Sequence, residues 1–299
     1  MPNNIHCSIG VIVYNEAANI GRLLRALHSQ RLRTVVIDRI FVVSSACTDG
    51  TDDIVLEYAV MHPDVTLIAQ SERRGKSSAI NLFLEAADSE ALIIESGDTL
   101  PAKDTVEKLV SAFADSNVGM TGGRPLPENP SGTFIGYAVN LLWKLHHRMA
   151  LISPKLGEMV AFRNVIDSIP ADSAVDEASI EKIITDRGLK LRYIPGAIVH
   201  NKGPETVRDF ISQRRRIATG HQWLAAGHHY VVPSQKPSIL LRITAVEALR
   251  SPARLPWLLG VIGLELYCRA LGWYDFKVRK KNPFAWDIAA STKKLEIDT

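Results

Sequence analysis

Between Ser8 and about Ser116, short apolar runs alternate with stretches whose apolar residues recur every three to four positions. That alternation predicts βαβ units around a mainly parallel sheet flanked by helices. The runs Ser8–Val13, Ile40–Val43, Val65–Ala69 and Ala91–Ile94 read as strands covered on both faces, because each is brief and almost wholly apolar. Helices are expected to start near Glu16, Thr51 and Lys76, with another over Ala102–Phe113. A strand at Val118–Thr121 leads into Gly122–Pro130, whose glycine and proline density marks a loop. Beyond it the pattern predicts a helix at Phe134–Met149, a strand at Met159–Phe162, a helix at Asp176–Arg187 and strands at Leu191–Tyr193 and Ala197–Val199. A basic helix over Pro204–Ala226 and two apolar helices, Ile239–Leu249 and Leu255–Leu271, complete the series.

This pattern divides the chain into an α/β unit over residues 1–230 and a helical C-terminal extension over 231–299. Within the first unit, residues to about 115 read as a nucleotide-binding fold, followed by a second half over 116–230. Leu255–Leu271 makes a poor membrane span because Glu265 and Arg269 interrupt it, although their spacing lets them pair along one helix face. The extension is therefore expected to contact a membrane surface, the rest of the protein or a second copy in a homodimer.

Composition adds limits. The 35 basic and 32 acidic residues nearly balance, which excludes a general nucleic-acid binder. Cys7, Cys47 and Cys268 lie far apart, as expected of a reducing compartment rather than a disulfide or zinc framework. With no basic-apolar leader at the N-terminus, the expected place is the cytoplasm, peripheral on the inner membrane face if the extension binds lipid.

Ligands of an open α/β sheet bind beyond the carboxyl ends of its strands. Four such ends carry polar residues: Tyr14-Asn15-Glu16, Ser44-Ser45 with Thr48-Asp49-Gly50-Thr51, Arg73-Arg74-Gly75-Lys76, and Ser96-Gly97-Asp98-Thr99. Singly, each is explained by caps and turns. In this order and spacing they resemble the N-terminal half of family-2 glycosyltransferases, of the GT-A (Rossmann-like) fold. The resemblance implies a donor site at Tyr14, Asn15, Glu16, Ser44, Ser45, Arg74, Lys76, Ser96, Gly97 and Asp98. It also implies a divalent Mn²⁺ or Mg²⁺ ion on the donor diphosphate. Two departures stand out: Ser44-Ser45 replace a pair of aspartates, and Ser96-Gly97-Asp98 keeps only the second acid of an Asp-x-Asp metal motif. Glu95 is expected to face away from Asp98 if the strand continues that far.

The resemblance continues into the second half, and altogether spans about residues 8–225. Asp176-Glu177 match an acid pair that contains the general base, a carboxylate needed to deprotonate the acceptor. By spacing to Gly188, Glu177 takes the aspartate position of the family's Glu-Asp pair; either residue is a candidate base, and the shorter, more rigidly held side chain favours Asp176. Gln213-Arg214-Arg215-Arg216-Ile217 resembles a Gln-x-x-Arg-Trp segment of the processive branch, with Ile217 in place of Trp, which argues against polymer extension. Gln213 and Arg216 are thereby implied at the diphosphate, and His200 is a candidate second metal ligand.

The function implied is inverting transfer of a sugar from a UDP- or GDP-type donor to an acceptor hydroxyl or phosphate, lipid-linked or saccharide. Two alternatives compete: a degenerate nucleotide-sugar-binding or assembly subunit, motivated by Ser44, Ser45 and Ser96, and a nucleotidyltransferase. The latter needs a glycine-rich basic loop where Tyr14-Asn15-Glu16-Ala17 stands.

Overall fold

The computed structural model describes residues 4–171, 175–228 and 237–280. The boundary at 230/231 and the tail beyond Lys280 lie outside them. Strands β1 (Ile5–Val13), β2 (Val35–Ser45), β3 (Val65–Gln70) and β4 (Ala91–Ser96) alternate with helices α1 (Ile20–His28), α2 (Thr51–Met61) and α3 (Lys76–Ala86), as the periodicity predicts. The first helix starts at Ile20 rather than Glu16, because the intervening residues form a turn held by backbone bonds from Asn19 and Ile20 to the Glu16 carbonyl.

Then follow β5 (Thr99–Pro101), α4 (Thr105–Val110), β6 (Val118–Pro127), α5 (Phe134–Ala150), β7 (Val160–Arg163), α6 (Asp176–Asp186), β8 (Lys190–Asn201), α7 (Val207–His228), α8 (Pro237–Arg250) and α9 (Leu255–Lys277). The strands form one sheet in the order β3-β2-β1-β4-β7-β6-β8-β5. β3, β2, β1 and β4 are mutually parallel, whereas β7 runs antiparallel to both β4 and β6, and β5 antiparallel to β8. The sheet is therefore mixed.

Two expectations change here. Gly122–Pro127 is not a loop but the second half of β6, paired in parallel with β8 through Arg124↔Ile198 to Pro127↔Asn201. A side chain at Gly123 would come within 2.8 Å of the Ala197 carbonyl, so glycine permits this close pairing. Pro125 and Pro127 lie beyond the stretch of β6 that pairs β7, so the donors they lack are not needed on that side. The strands expected at Leu191–Tyr193 and Ala197–Val199 are one strand, β8, with Pro195-Gly196 inside it at the register shift opposite Gly122/Arg124.

Apolar layers cover both faces. Ile20, Leu23, Leu24 and Leu27 of α1 are all buried beside Ile9, Val11, Val42 and Ile93. On the other face, Ile80 and Phe83 of α3 pack with Ile12, Val43, Ile94 and Phe162. Gly10 lets Phe83 lie directly on β1: a side chain there would meet the ring at 2.5 Å.

A third cluster joins α5, α8 and α9. Lys144 and Arg148 of α5 reach Glu247 of α8 at 2.6 and 2.9 Å. Arg214 makes two 2.8 Å bonds to Glu265 of α9, and Arg215 two 2.5 Å bonds to Asp275. Glu265 and Arg269 do pair along the helix, at 3.0 Å. Thus α9 is docked on α7 by charge-assisted forks, while Leu255, Leu259, Ile262 and Leu266 remain exposed. The segment Pro252–Lys277 is, by length and composition, long and apolar enough to cross a membrane.

His146 of α5 lies inside this region, with neither ring nitrogen bonded to another described residue. Burial, with the nearby Lys155 charge, pushes its pKa from 6.5 down to about 3. The unfolded chain thus takes up the proton first as pH falls. The stability held by the neutral ring is complete above pH 6.5 and is lost progressively below it, toward pH 3. Urea unfolding at pH 7 and pH 5 should show the wild-type protein losing about 2 kcal/mol more than His146→Phe over that interval. Equal losses would contradict the assignment.

Candidate donor and acceptor site

The ends of β1 and β2 are tied together before either can meet a ligand. Asn15 adopts a positive φ of 54°, a conformation asparagine tolerates, and its Oδ1 accepts the Thr48 N–H at 2.9 Å. Asp49 accepts from Ala17 N–H at 3.0 Å and Thr51 N–H at 3.1 Å, so one carboxylate braces both loops. Glu16 is 4 % exposed and its Oε2 accepts from Asn19 at 2.8 Å, which fixes it beneath the loop rather than in an open pocket.

Ser44 and Ser45 are likewise buried in the frame. Ser44 Oγ donates to Asp52 Oδ2 and Ser45 Oγ to Gln70 Oε1, each at 3.0 Å. The other oxygen of Asp52 is buried with no partner among the described residues.

After β3 the basic pair splits. Arg73 stacks its guanidinium 4.1 Å from the centre of the Tyr14 ring, while Arg74 points to solvent and meets exposed Glu72 at 3.3 Å. Arg73, not Arg74, is therefore the basic residue gathered at the site. Consecutive residues of an extended segment face opposite ways, which explains the exchange.

At the end of β4, Gly97 donates to the Ile12 carbonyl at 3.2 Å. A side chain on it would strike Val13 at 2.7 Å and Glu16 at 2.8 Å, so glycine presses this turn onto β1. The Thr99 hydroxyl closes the turn through the Ser96 carbonyl at 2.8 Å and the Glu95 carboxylate, leaving half-buried Asp98 at its tip. Glu95, in a strand that continues through Ser96, is fully buried, and its Oε2 has no partner among the described residues. Burial, joined by repulsion from Glu158 and Asp98, pushes its pKa up to about 8.

Asp176 and Glu177 open α6 and converge on Lys76 at the start of α3. Lys76 Nζ lies 2.9 Å from Glu177 Oε1 and 3.3 Å from Asp176 Oδ2, and Ser77 donates to Asp176 Oδ1 at 2.8 Å. Lys76 is thus committed to the acid pair rather than open to a diphosphate. Although partial burial opposes its charge, Glu177 and Asp176 outweigh that and raise its pKa. Burial also raises Asp176, helped by the Glu177 charge. For Glu177 burial acts upward too, but the Lys76 ammonium and its hydrogen bond prevail and hold the carboxyl low.

Arg214 and Arg215 anchor α9, whereas Arg216 interacts electrostatically with Asp176, Asp98, Glu177 and Arg73. Gln213, half-buried, lies one turn earlier on α7. His200 does not join this group. Its Nδ1 lies 2.6 Å from Glu128 Oε1, while neighbouring Asn201 turns to the other side and donates to Glu158 Oε1 at 3.2 Å. The alternation along β8 directs His200 away from Asp98.

Glu158 is the residue that sequence reading missed. It has a positive φ of 59° and interacts electrostatically with Asp98, Glu177 and Lys76. Burial and repulsion from Asp98 and Glu177 push it up to about 7. The search for chemistry followed carboxyl ends of strands. Because β7 is antiparallel to β4, with Ile94 opposite Val160, Glu158, two residues before β7, arrives at that same edge.

One edge of the sheet therefore gathers Asp98, Glu158, Asp176 and Glu177 with Lys76, Arg73 and Arg216. The Glycosyl transferase family 2 model matches residues 8–183, which include all of these groups except Arg216. The chain belongs to glycosyl transferase family 2. Its fold is that of the GT-A glycosyltransferases. A solved mannosyltransferase of that fold, PcManGT from Pyrobaculum calidifontis in complex with GDP-Man and Mn²⁺, is 26 % identical with a TM-score of 0.62, over 95 % of this chain and 84 % of that one. Glucosyl-3-phosphoglycerate synthase from Mycobacterium tuberculosis shares the fold at 14 % identity and a TM-score of 0.50, over 72 % of this chain and 78 % of that one.

Among curated relatives, the glycosyltransferase AglE of Haloferax volcanii is 28 % identical over 125 residues, 42 % of this chain and 41 % of its own. The probable glycosyltransferase YdaM of Bacillus subtilis is 25 % identical over 236 residues, 73 % of this chain and 55 % of its own. This family member thus spans about half the length of the curated relatives it matches.

Proposed function

We propose that this protein transfers a glycosyl residue from a nucleoside diphosphate sugar to an acceptor hydroxyl or phosphate, with a divalent cation on the donor and inversion at the anomeric carbon. The observation that carries the reading is the approach of two acid groups, Asp98 at the β4 turn and Asp176-Glu177 on α6, to a shared Arg216, with Lys76 on the acid pair.

The residues at the β4 turn fit a hard cation. Their side chains offer only oxygen donors, and Asp98 and Glu158 repel one another until positive charge is supplied. The described residues do not place three His, Cys or acid ligand atoms together around Asp98, so donor phosphate oxygens and water would complete the coordination. When bound, Mn²⁺ or Mg²⁺ offsets charge on the diphosphate leaving group. Ser96 contributes its backbone carbonyl to the Thr99 turn, and the ligand role at this motif falls to Asp98, with Glu158 beside it.

Of the acid pair, Glu177 is the better base. Both oxygens of Asp176 are engaged and its side chain is 7 % exposed, whereas Glu177 is 24 % exposed and has only Oε1 on Lys76. In this mechanism Lys76 and Ser77 hold the pair, and Glu177 Oε2 takes the acceptor proton. A hydroxyl oxygen so activated attacks the anomeric carbon from the side opposite the diphosphate, which inverts it. Arg216, with Gln213 a turn away and Arg73 stacked on Tyr14, offsets the charge that develops on the leaving nucleotide. Asn15 and the Ser44–Asp52 pair shape the nucleoside end.

We place the protein on the cytoplasmic face of a membrane, with Leu255, Leu259, Ile262 and Leu266 of α9 toward the lipid, which suits a lipid-linked acceptor. The decisive assay incubates purified protein with UDP-, GDP- and dTDP-sugars and Mn²⁺, following nucleotide release and the heat of donor binding. Turnover with at least one donor, and an inverted product by NMR, is expected. Silence across the panel would remove the proposal, and binding without turnover would favour the nucleotide-sugar-binding subunit.

A further inference from the structure

At the end of the sheet away from Asp98, the C-terminus of α1 meets the turn joining α2 to β3. His28 ends α1, His62 follows α2 and Asp64 precedes β3. Their ligand atoms all lie within 4.8 Å of one another, the one such group among the described residues. We propose that His28, His62 and Asp64 form a second metal site, for a borderline transition ion of the Zn²⁺ class, that clamps α1 to the α2–β3 turn.

The hydrogen bonds fix which nitrogen is available. His28 Nδ1 lies 3.1 Å from the Leu24 carbonyl, which can only accept, and 3.1 Å from the Tyr58 hydroxyl; in the tautomer that bonds the carbonyl, Nδ1 carries the hydrogen and Tyr58 turns its own elsewhere. Its Nε2 is then left facing Asp64 Oδ2 at 2.9 Å. A lone pair and a carboxylate oxygen at that distance repel unless a proton or a cation lies between them. Two ligands about 2.0–2.1 Å from one ion at a tetrahedral angle stand about 3.3–3.4 Å apart, so a few tenths of an ångström of opening at this contact admits the ion. Metal-bound histidines commonly donate their other nitrogen to a carbonyl, as His28 does to Leu24.

A proton shared by His28 and Asp64 would explain that contact alone. It would not explain the third member. The His62 ring has no hydrogen-bond partner among the described residues, yet it is held over the pair, stacked on Tyr58 at 4.3 Å and 4.4 Å from the His28 ring. Pro63 stiffens the turn between His62 and Asp64, and the Tyr58 hydroxyl sits 3.1 Å from His28 Nδ1. Three protein ligands leave a fourth position for water, and a cavity of about 270 Å³ lined by Leu27, His28, Leu32 and Asp64 adjoins two of the three. Two imidazoles with one carboxylate favour Zn²⁺ over Mg²⁺ or Mn²⁺, the reverse of the all-carboxylate edge at Asp98.

The test uses full-length Asp98→Asn protein stripped with EDTA, which separates this site from the donor site and does not depend on turnover. Calorimetric titration with ZnCl₂ should show one equivalent bound, and Asp98→Asn/His62→Ala should bind at least about 100-fold more weakly. Zn²⁺ at a hundred times its Kd should raise the Tm of Asp98→Asn by roughly 5 °C, with Mn²⁺ and Mg²⁺ at that concentration doing neither. Partly exposed His62 is replaced without opening the core, and metal-free melts establish that the variant folds; Asp64→Asn provides a second removal. Absence of saturable Zn²⁺ binding in Asp98→Asn, or binding that survives both removals, would overturn the site.

Discussion

Asp98→Asn is expected to lower kcat/KM for the donor by about 10²–10³-fold without lowering the Tm. The several kcal/mol that a bound cation supplies to a departing diphosphate corresponds to that factor. Asp98 sits at the tip of the β4–β5 turn, and that turn is held by Gly97, Thr99 and Glu95 rather than by the Asp98 side chain. Removing its charge relieves repulsion on Glu95 and Glu158, which favours the fold even as it removes function. The measurement is nucleotide release with and without EDTA, beside donor-binding heat at several Mn²⁺ concentrations. Wild-type donor binding should tighten with Mn²⁺ and that of the variant should not. A variant within threefold of wild type, sensitive to EDTA to the same degree, would move the cation elsewhere.

The parallel half of the fold was legible because its strands are continuous apolar runs and its loops carry the ligand chemistry in chain order. The antiparallel half was not, for a geometric reason. β7 reverses direction, so Glu158 reaches the active edge from the start of a strand, where reading carboxyl ends does not look. Glycine and proline in β6 were likewise read as a loop, although Gly123 is there to let β8 approach and the prolines follow the part paired to β7. At the site, Asp98, Asp176, Glu177, Lys76 and Arg216, which sequence order singles out, lie at one edge, but their partners are not those the order implies. That Lys76 binds the acid pair, that Arg73 and Arg74 diverge and that His200 pairs with Glu128 all depend on side-chain direction. A single sequence does not encode that legibly.

Direction also separates the two candidate bases, and their variants should behave differently. Glu177→Gln should reduce kcat by about 10²–10⁴-fold, the usual contribution of a positioned base, with little change in donor KM. Asp176→Asn keeps an acceptor for Ser77 but sets an amide against Lys76, so its main effect should be a lower Tm and a smaller fall in kcat, about tenfold. The pH profile supplies an independent reading. Lys76 holds Glu177 below the ordinary carboxylate range against the effect of burial, so a Glu177-dependent rate stays flat from pH 7 down through pH 5 and falls only when that carboxyl is protonated. Burial and the Glu177 charge raise Asp176, so an Asp176-dependent rate would fall earlier on acidification. Lys76→Met should unite the two cases: with the ammonium gone, the Glu177 carboxyl rises, and the acid limb of the profile moves toward neutral pH. A limb that stays in place in Lys76→Met, or one that Asp176→Asn alone abolishes, would transfer the base from Glu177 to Asp176.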